Sequence, residues 1–454
     1  MSVEHLSFAF SSLLYPGETL HCSLMLSQRM VHPLSYFLHW RCANQCYIIS
    51  KKRDLNLGSK RLFSYLFYDV NPGEGFNLRR DVYLRVAALN NILNCTLVLP
   101  PWDHLYHWQS NSLNFQGKLP WSKFFDLKQL GRYTKLVEFE SFVQEETKSS
   151  EGLLIDVILH LQHPTDLNGS FEEKANFVKC KKLKKYWKED DATYGGPFWS
   201  YENVFAKKLK CLEILGGPRV LKPVLQNLIE SKSNRLIFLD RAETLLHDQF
   251  GQTDYWRGRR SMRFSTHLID IANEFRKTFL KSSDEEDGTK LPLDWRVESK
   301  LDTYSRGGPY IAAHLRRKDF LSARKSQIPS LEKTAETLSL LAKKNNVSQV
   351  FIASDASDIE IEEIMGHIPE DLEIFTFRPS LPTKGKILDG GVAIVDQIIC
   401  ACAKYFIGSY ESTFSFRIQE EREIRQLHPD STFNRFCGDQ ELNCQQPTRW
   451  KIVF

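Results

Sequence analysis

The hydrophobic pattern becomes regular at Arg61, where short apolar runs begin to alternate with runs of helical spacing. Residues Leu62 to Val70 are mostly apolar and aromatic, and the turn residues Asn71 to Gly75 follow them. From Phe76 to Leu93 the apolar residues recur at the spacing of an amphipathic helix, and Thr96 to Pro101 is a second apolar run. A strand, a glycine-rich turn, a helix and a strand in this order predict a βαβ unit with parallel strands.

The carboxyl-terminal part of the chain repeats this alternation. The predicted strands are Leu236–Asp240, Pro309–Leu315, Val350–Ala353 and Tyr405–Gly408. The predicted helices are Met262–Phe279, Leu331–Lys344, Ser357–Met365, Val392–Cys402 and Phe414–Arg425. Strands that alternate with helices are typical of an α/β fold with parallel sheets.

The polar, charge-dense segment Lys281–Lys290 has the composition of a linker. We therefore predict two Rossmann-like domains, residues 60–290 and residues 291–454. Residues 1–59 precede them as a leader of uncertain status, because this segment lacks the basic flank of a signal peptide. In the less regular middle, the Lys-rich run Cys180–Trp187 is interpreted as a solvated surface.

Composition narrows the classes of function. The chain has 454 residues, of which 42% are hydrophobic and 26% charged, as in a folded globular protein. Sixty basic against fifty-six acidic residues leave a net charge of +4, which is a small excess for a protein that coats nucleic acid. No apolar run reaches the about 18 residues of a membrane span. We expect neither nucleic acid nor a membrane-spanning segment.

No metal site is predicted. Cys42 and Cys46 lie near His32 and His39, but no second ligand pair follows at the spacing of a zinc finger. The sequence also has no Asp-x-Asp motif at the end of a predicted strand.

Three loops are predicted at the carboxyl ends of parallel strands, where ligands bind in open α/β sheets. In the first, Glu74 stands between Gly73 and Gly75, which allow the backbone to approach a ligand closely. A carboxylate in this place suits a general base that takes a proton from a hydroxyl group. Alternatively, Glu74 is a negative charge that complements the dipole of the following helix.

The second loop, His314–Asp319, ends a strand with three consecutive cations and an Asp. The guanidinium group of Arg316 suits a diphosphate, because its N–H donors match phosphate oxygens in pairs. Alternatively, the cluster is a surface patch that Asp319 neutralises.

The third loop, Gly408–Thr413, ends a strand and begins a helix, so its N–H groups can bind an anion or simply be capped. Asp396 in the helix before it, and Glu420 and Glu421 in the helix after it, add acceptors for a base or a sugar. Each of these three carboxylates is alternatively a solvated helix residue. Together the loops predict a nucleotide-sugar glycosyltransferase, with a diphosphate held by the second domain and a carboxylate base offered by the first.

Eight segments, in order from about Arg61 to the end of the chain, carry a resemblance to a known family. They are Asp69–Arg80, Pro100–Trp102, Leu105–Ser110, Leu239–Glu243, His314–Phe320, Asp389–Ile394, Ser412–Ile418 and Arg435–Gln440. They resemble the protein O-fucosyltransferases, in the branch that modifies thrombospondin type 1 repeats.

The resemblance implies an α/β fold of the GT-B type, with two facing Rossmann-like domains and a cleft between them. It implies transfer of L-fucose from GDP-fucose to Ser or Thr hydroxyls of folded thrombospondin type 1 repeats, with inversion and without metal or cofactor. It also implies a monomer in the lumen of the endoplasmic reticulum. A rival hypothesis from another class is a GDP-fucose-binding quality-control chaperone for such repeats, in which catalysis is secondary.

The resemblance also assigns residues. It implies catalytic roles for Glu74, Arg316 and Glu421, with Glu74 as the general base and Arg316 stabilising the leaving diphosphate. The implied substrate-binding residues are Gly73, Gly75, Phe76, Asn77, His314, Leu315, Arg316, Asp396, Thr413 and Phe414.

Two disulfides, Cys180–Cys211 and Cys437–Cys444, are implied by the same resemblance, and the short polar turn between the second pair is of a length that a disulfide closes. The six other cysteines are unassigned, namely Cys22, Cys42, Cys46, Cys95, Cys400 and Cys402. Asn-x-Ser/Thr sequons make Asn94, Asn168 and Asn346 candidates for glycosylation.

Overall fold

The computed structural model describes residues 64–454, except residues 104, 106, 109, 111, 114, 147–151, 165–171, 182, 232–233 and 442–443. The predicted leader 1–59, with Cys22, Cys42 and Cys46, and the sequon at Asn168 lie outside the described residues.

Two larger sheets and one small sheet contain the strands of the described residues. The strands are β1 Tyr65–Tyr68, β2 Thr96–Leu99, β3 Leu136–Glu138, β4 Leu153–Ile155, β5 Val157–Gln162, β6 Lys174–Val178, β7 Trp187–Lys188, β8 Tyr194–Gly195, β9 Val204–Ala206, β10 Leu209–Leu215, β11 Leu236–Asp240, β12 Gly308–Leu315, β13 Gln349–Ser354, β14 Glu373–Phe375, β15 Ala403–Gly408 and β16 Asn434–Arg435.

Helices cover and connect these sheets. They are α1 Phe76–Leu93, α2 Leu127–Gly131, α3 Phe139–Glu146, α4 Pro218–Glu230, α5 Thr253–Ser261, α6 Thr266–Phe279, α7 Asp284–Asp287, α8 Lys318–Ala323, α9 Leu331–Asn345, α10 Asp358–Gly366, α11 Leu381–Cys402, α12 Thr413–Ile424 and α13 Pro429–Thr432.

The first sheet has seven strands in the order β3-β2-β1-β11-β5-β10-β6, and the second has five in the order β14-β13-β12-β15-β16. All neighbours are parallel except β6, which runs antiparallel to β10. Central strands that are buried on both faces must be apolar throughout, which is why β1, β11 and β12 appear in the sequence as continuous apolar runs. The predicted α/β fold with parallel sheets is confirmed.

One hydrophobic core extends from the first sheet to the second. It contains Leu66 and Leu239 of the first sheet and Ala312 and Phe351 of the second. Helix α11 crosses this core with very close packing at Gly390, where an added Cβ would lie 2.6 Å from the ring of Trp108. A glycine is therefore required for α11 to approach the loop that follows β2.

The middle of the chain is more ordered than its sequence suggests. It adds β5, β6 and β10 to the first sheet and forms a small sheet in the order β4-β9-β8-β7. Several of these strands have only two or three residues, which is too few for an alternating pattern to be recognised.

The segment Lys281–Lys290 is firmly attached, whereas its composition predicts a loose linker. It contains the short helix α7, and its acidic residues surround Arg276, whose side chain is 0% exposed. Arg276 donates to Asp284 Oδ1 at 2.6 Å and to Asp287 Oδ2 at 2.9 Å. The charge density of this segment thus pairs a buried cation, and composition alone does not distinguish such pairing from solvation.

Both implied disulfides are present, Cys180–Cys211 and Cys437–Cys444. Of the unassigned cysteines, Cys95, Cys400 and Cys402 are free and buried.

The sequon residues Asn94 and Asn346 are exposed and end α1 and α9 in left-handed conformation, so their glycosylation stays a prediction. Among the described residues, no helix is long and apolar enough to cross a membrane. Within the same residues, no three His, Cys, Asp or Glu side chains are grouped to hold a metal ion.

Replacing Arg276 with Leu is expected to lower the free energy of unfolding by about 3 to 5 kcal/mol, because the carboxylate of Asp287 is then buried without its cation. Chemical denaturation followed by tryptophan fluorescence measures this change. Lys290→Gln is the control, since the Lys290–Glu285 pair in the same segment is exposed on both sides, and it should leave the midpoint unchanged. Equal midpoints for Arg276→Leu and wild type would show that the segment is a loose linker after all.

Candidate active site

The first predicted loop lies at the carboxyl end of β1 and leads into α1. The Glu74 N–H donates to the carbonyl of Asn71 at 2.9 Å, and Arg79 Nε donates to the carbonyl of Glu74 at 2.9 Å. Glu74 is half-buried. Desolvation raises the pKa of the Glu74 carboxyl, and the negative charge of Glu243 raises it further, while Arg79, Arg241 and Arg85 oppose this shift. A carboxylate with a raised pKa is a stronger base than a solvated one.

The second predicted loop follows β12, and its Arg316 is held between two carboxylates. Arg316 Nε lies 2.8 Å from Asp319 Oδ1 and 3.3 Å from Asp355 Oδ2. Its backbone N–H donates to Ser409 Oγ at 2.7 Å, which ties this loop to the end of β15. The predicted neutralisation by Asp319 therefore occurs, but it also fixes the direction of the guanidinium group.

His314 is buried on β12 and is held by α12. Its Nδ1 lies 2.8 Å from Ser415 Oγ, and its ring stacks on Phe414 with 4.3 Å between ring centroids. Burial, with a smaller contribution from the Arg316 charge, lowers the pKa of His314 to about 3. His314 is therefore neutral at pH 7 and offers hydrogen-bonding atoms without adding a charge.

Between Glu74 and Arg316 the structure places His107, a residue to which sequence reasoning assigned no role. A Cβ added to Gly75 would lie 3.5 Å from His107 Cδ2. On the other side, Arg316 Nη2 lies 3.3 Å from His107 Nδ1. Partial burial and the Arg316 charge lower the pKa of this imidazole to about 4, so it is neutral at pH 7. Its only signal in the sequence is its place inside the segment Leu105–Ser110.

The loop that carries His107 is attached to α11. The N–H of Ser110 donates to Asp389 Oδ2 at 3.0 Å, and Gln116 Nε2 donates to the same oxygen at 2.8 Å. The loop of His107, which follows β2, is thus held by α11.

Gln397, which is buried on α11, joins that helix to the start of α1. Its Nε2 donates to Asn77 Oδ1 at 2.9 Å, and its Oε1 accepts from Arg80 Nη1 at 2.7 Å. Asn77 lies three residues after Glu74, and Asp396 lies next to Gln397. These hydrogen bonds therefore fix the first predicted loop relative to Asp396.

Asp396 is half-buried on α11, and its Oδ1 atom is fully buried without a hydrogen-bond partner among the described residues. Burial raises the pKa of this carboxyl to about 8, with opposition from Arg378. The alternative that Asp396 is a solvated helix residue is wrong. A buried carboxyl oxygen without a donor is an acceptor that an N–H group of a ligand can satisfy.

The third predicted loop, Gly408–Thr413, contains Ser412, the N-cap residue of α12. The side chain of Ser412 makes no capping hydrogen bond, and Thr413 is exposed at the first position of the helix. The start of α12 thus keeps the uncapped N–H groups that an anion requires.

Glu420 and Glu421 are buried, so their interpretation as solvated helix residues is wrong. Glu421 Oε2 accepts from Arg425 Nη1 at 2.6 Å, and Glu420 Oε2 lies 2.9 Å from Arg259 Nε. Both carboxylates have partners that belong to the packing of α12. The hydrogen bond of Glu421 lies within α12 and its C-cap residue, and its catalytic role stays a prediction.

Two other predicted substrate-binding residues lie in the core. Phe76 packs on Trp102 and Trp108, with ring centroids 4.8 Å and 5.3 Å away, and Leu315 is fully buried at the end of β12. Their side chains therefore support the loops from beneath. Gly73, by contrast, is exposed at the tip of its turn.

Lys185 departs from the prediction for its Lys-rich run. Its Nζ lies 2.6 Å from Asp240 Oδ1 and 3.4 Å from Asp69 Oδ2, at the ends of β11 and β1. His160 Nδ1 lies 2.7 Å from the other oxygen of Asp240. This lysine neutralises two carboxylates below the Glu74 turn, and the interpretation of the run as wholly solvated is wrong for this residue.

Comparison with known proteins shows which family this chain is similar to. The family model described as GDP-fucose protein O-fucosyltransferase matches residues 65–425. The human GDP-fucose protein O-fucosyltransferase 2 is 44% identical over 408 residues, which cover 88% of this chain and 92% of the relative. The Caenorhabditis elegans protein of the same name is 43% identical over 400 residues, covering 86% and 90%.

A solved structure of POFUT1 in complex with GDP-fucose is similar in fold. Its TM-score is 0.54 at 16% sequence identity, and the alignment covers 83% of this chain and 98% of that chain.

Asp396→Asn is expected to stabilise the ligand-free protein at pH 7. Between pH 3.8 and about 8, the unfolded chain gives up a proton that folded Asp396 keeps, so wild type loses up to about 1.4 kcal/mol of unfolding free energy per pH unit. Asn carries no such proton, and the advantage of the variant should grow as the pH rises through this range. Denaturation curves at several pH values measure it.

The exposed variant Asp302→Asn is the control and should follow wild type. If the difference in free energy of unfolding between Asp396→Asn and wild type stays constant from pH 5 to about 8, the pKa of the Asp396 carboxyl is not raised.

Proposed function

The chain belongs to the GDP-fucose protein O-fucosyltransferase family and is an enzyme of that class, and from this premise we propose its acceptor and its mechanism. The proposed acceptor is a Ser or Thr hydroxyl of a folded thrombospondin type 1 repeat, to which L-fucose is transferred from GDP-fucose. The observation that most supports the mechanism is that Gly75, next to Glu74, and Arg316 both lie beside His107, so that a carboxylate and a guanidinium group are near the same imidazole.

In the proposed reaction, Glu74 is the general base. The acceptor oxygen attacks C1 of fucose while its proton passes to the Glu74 carboxylate. The bond between C1 and the diphosphate oxygen breaks, and GDP departs with the electron pair. Because the nucleophile enters opposite the leaving group, the configuration at C1 is inverted. The raised pKa of Glu74 supports this role.

The departing diphosphate gains negative charge, which Arg316 and the start of α12 are placed to stabilise. Asp319 and Asp355 fix the orientation of the Arg316 guanidinium group before the donor binds. Little reorganisation of this side chain is then needed during the reaction. Thr413 and Phe414 contribute N–H groups at the uncapped end of α12. In this proposal the diphosphate is neutralised by protein cations and dipoles, and no metal or cofactor takes part.

Asp396 is proposed to bind the guanine base. A guanine ring presents N–H donors. The Oδ1 of Asp396 is an acceptor that has no donor among the described residues. Donors of this kind favour the ionised carboxylate, so the base would bring the raised pKa of Asp396 back down. His314, with Leu315 beside it, and the stacked Phe414 then lie on the donor side.

Glu421 is proposed to act through the position of α12. Its pair with Arg425 lies within α12 and its C-cap residue, whereas its negative charge also acts on Arg80 of α1 and on Arg263, and this attraction is proposed to hold α12 in place. Loss of this carboxylate would misplace Thr413 and Phe414 without removing a group that touches the donor.

The proposed location is the lumen of the endoplasmic reticulum, and the proposed state is a monomer. The disulfides Cys180–Cys211 and Cys437–Cys444 support an oxidising compartment, since such bonds rarely persist in the cytosol.

Glu74→Gln is expected to lower the rate of fucose transfer to a folded repeat by about 10² to 10⁴-fold, because an amide does not accept the proton. Binding of GDP-fucose and of the repeat should be retained, as measured by calorimetry. Transfer of radiolabelled fucose measures the rate. Glu336→Gln, an exposed change on α9, is the control and should match wild type.

Two outcomes decide between the hypotheses. Transfer by Glu74→Gln at the wild-type rate would exclude this base, and repeat binding without any transfer by wild type would favour the chaperone. A reduced, unfolded repeat should be a poor acceptor in the same assay if the enzyme recognises a fold; equal transfer to both forms would contradict that part of the proposal.

A further inference from the structure

Glu243 lies beside the Glu74 turn and has contacts on both sides of its carboxylate. It belongs to the short turn Ala242–Thr244, which follows β11 directly. Its Oε2 accepts from the backbone N–H of Asn71 at 3.1 Å, and its Oε1 accepts from Arg241 Nε at 2.9 Å. The side chain of Glu243 is 11% exposed, whereas that of Arg241 is 42% exposed.

These contacts form a continuous path from Glu243 to Glu74. The carboxylate of Glu243 holds the N–H of Asn71, and the carbonyl of Asn71 in turn accepts the N–H of Glu74 at 2.9 Å. The same turn contains Pro72, which has no backbone N–H to donate. Just before the turn, the N–H of Ala242 donates to the carbonyl of Asp69 at 2.9 Å, and the Glu243 contact extends this attachment to Asn71 within the turn.

We propose that Glu243 is a positioning residue for the base Glu74, because its carboxylate fixes the turn that carries the base and supplies a negative charge beside it. This inference rests on the proposed function of Glu74. It adds a residue that the reaction needs without contact to either substrate.

The alternative is that Glu243 serves only to pair Arg241 at the surface. An ion pair with a cation as exposed as Arg241 contributes little to stability. That alternative does not account for the second oxygen of Glu243, which is directed into the turn at Asn71.

The charges around Glu74 predict the direction in which the pH profile of each variant moves. After desolvation, Glu243 is the largest influence that raises the pKa of Glu74, and Arg79, Arg241 and Arg85 lower it. Transfer needs ionised Glu74, so the rate rises with pH through the pKa of this carboxyl. Removing the Glu243 charge lowers that pKa and moves the acid limb of the rate profile to lower pH.

The test is the pH profile of kcat/KM for Glu243→Gln with GDP-fucose and a folded repeat. The variant keeps the shape of the side chain and an oxygen for Asn71. The acid limb should move to lower pH, and the plateau should fall about threefold because a base of lower pKa accepts the proton less readily. The KM for GDP-fucose should stay at the wild-type value.

Arg241→Asn is a second variant, for which the acid limb should move in the opposite direction. Asn is tolerated at position 241, where the backbone is left-handed with φ of 61°. Loss of this cation should move the acid limb to higher pH. Because Arg241 is largely at the surface, this variant keeps the test decisive even if Glu243→Gln folds poorly.

Asp248→Asn is the matched control. Asp248 lies five residues further along the same segment and also accepts a backbone N–H, that of Arg219, at 3.1 Å. Its profile should coincide with that of wild type. If a change of charge anywhere in this segment moved the profile, Asp248→Asn would show it.

The outcomes separate this inference from the proposed function. If Glu74→Gln is inactive but the profiles of Glu243→Gln and Arg241→Asn coincide with wild type, the base stands and the role of Glu243 is overturned. If Glu74→Gln is fully active, the proposed role of Glu74 as the base is overturned, and with it the inference about Glu243 that rests on it. Opposite displacements of the two acid limbs, with an unmoved control, support the inference.

Discussion

The buried hydrogen bonds of Gln397 are the interaction on which the arrangement of the site depends. A single buried amide holds Asn77 and the buried Arg80 of α1 against α11. Glu74 lies just before Asn77 in the chain, and Asp396 lies just before Gln397. Since an unpaired amide or guanidinium group in the interior is costly, these elements have little freedom to separate. The carboxylate of Glu74 and the buried oxygen of Asp396 thereby keep a fixed relation.

Around this attachment, burial sets the charge state of each group. Desolvation raises the pKa of Glu74 and of Asp396, and it lowers the pKa of His107 and His314 so that both rings are neutral. Asp319 and Asp355 orient the guanidinium group of Arg316. One cation, two neutral imidazoles and a strengthened carboxylate base suit a reaction in which a hydroxyl loses a proton and a diphosphate gains charge.

Local pattern predicted a large part of this structure. The strand β11 and the helix α1 have the predicted bounds, and Glu74 and Arg316 lie at strand ends as expected, because apolar periodicity and turn residues are local properties. His107, Lys185 and Glu243 contact residues that are 209, 116 and 172 positions away, at Arg316, Asp69 and Asn71, and spacing does not encode such contacts. The Lys-rich run Cys180–Trp187 is predicted to be solvated and the polar segment Lys281–Lys290 to be a linker. In the structure, Lys185 pairs with buried Asp240, and Asp287 pairs with buried Arg276.

The central claim is direct displacement at C1 with Glu74 as the base, and the anomeric configuration of the product tests it most directly. Proton NMR of the fucosylated repeat after a single turnover, compared with GDP-fucose, reports the configuration at C1 before and after transfer. The account predicts the opposite configuration in the product. Retention of the donor's configuration would contradict it, because retention requires a second displacement that a single base opposite the diphosphate does not provide.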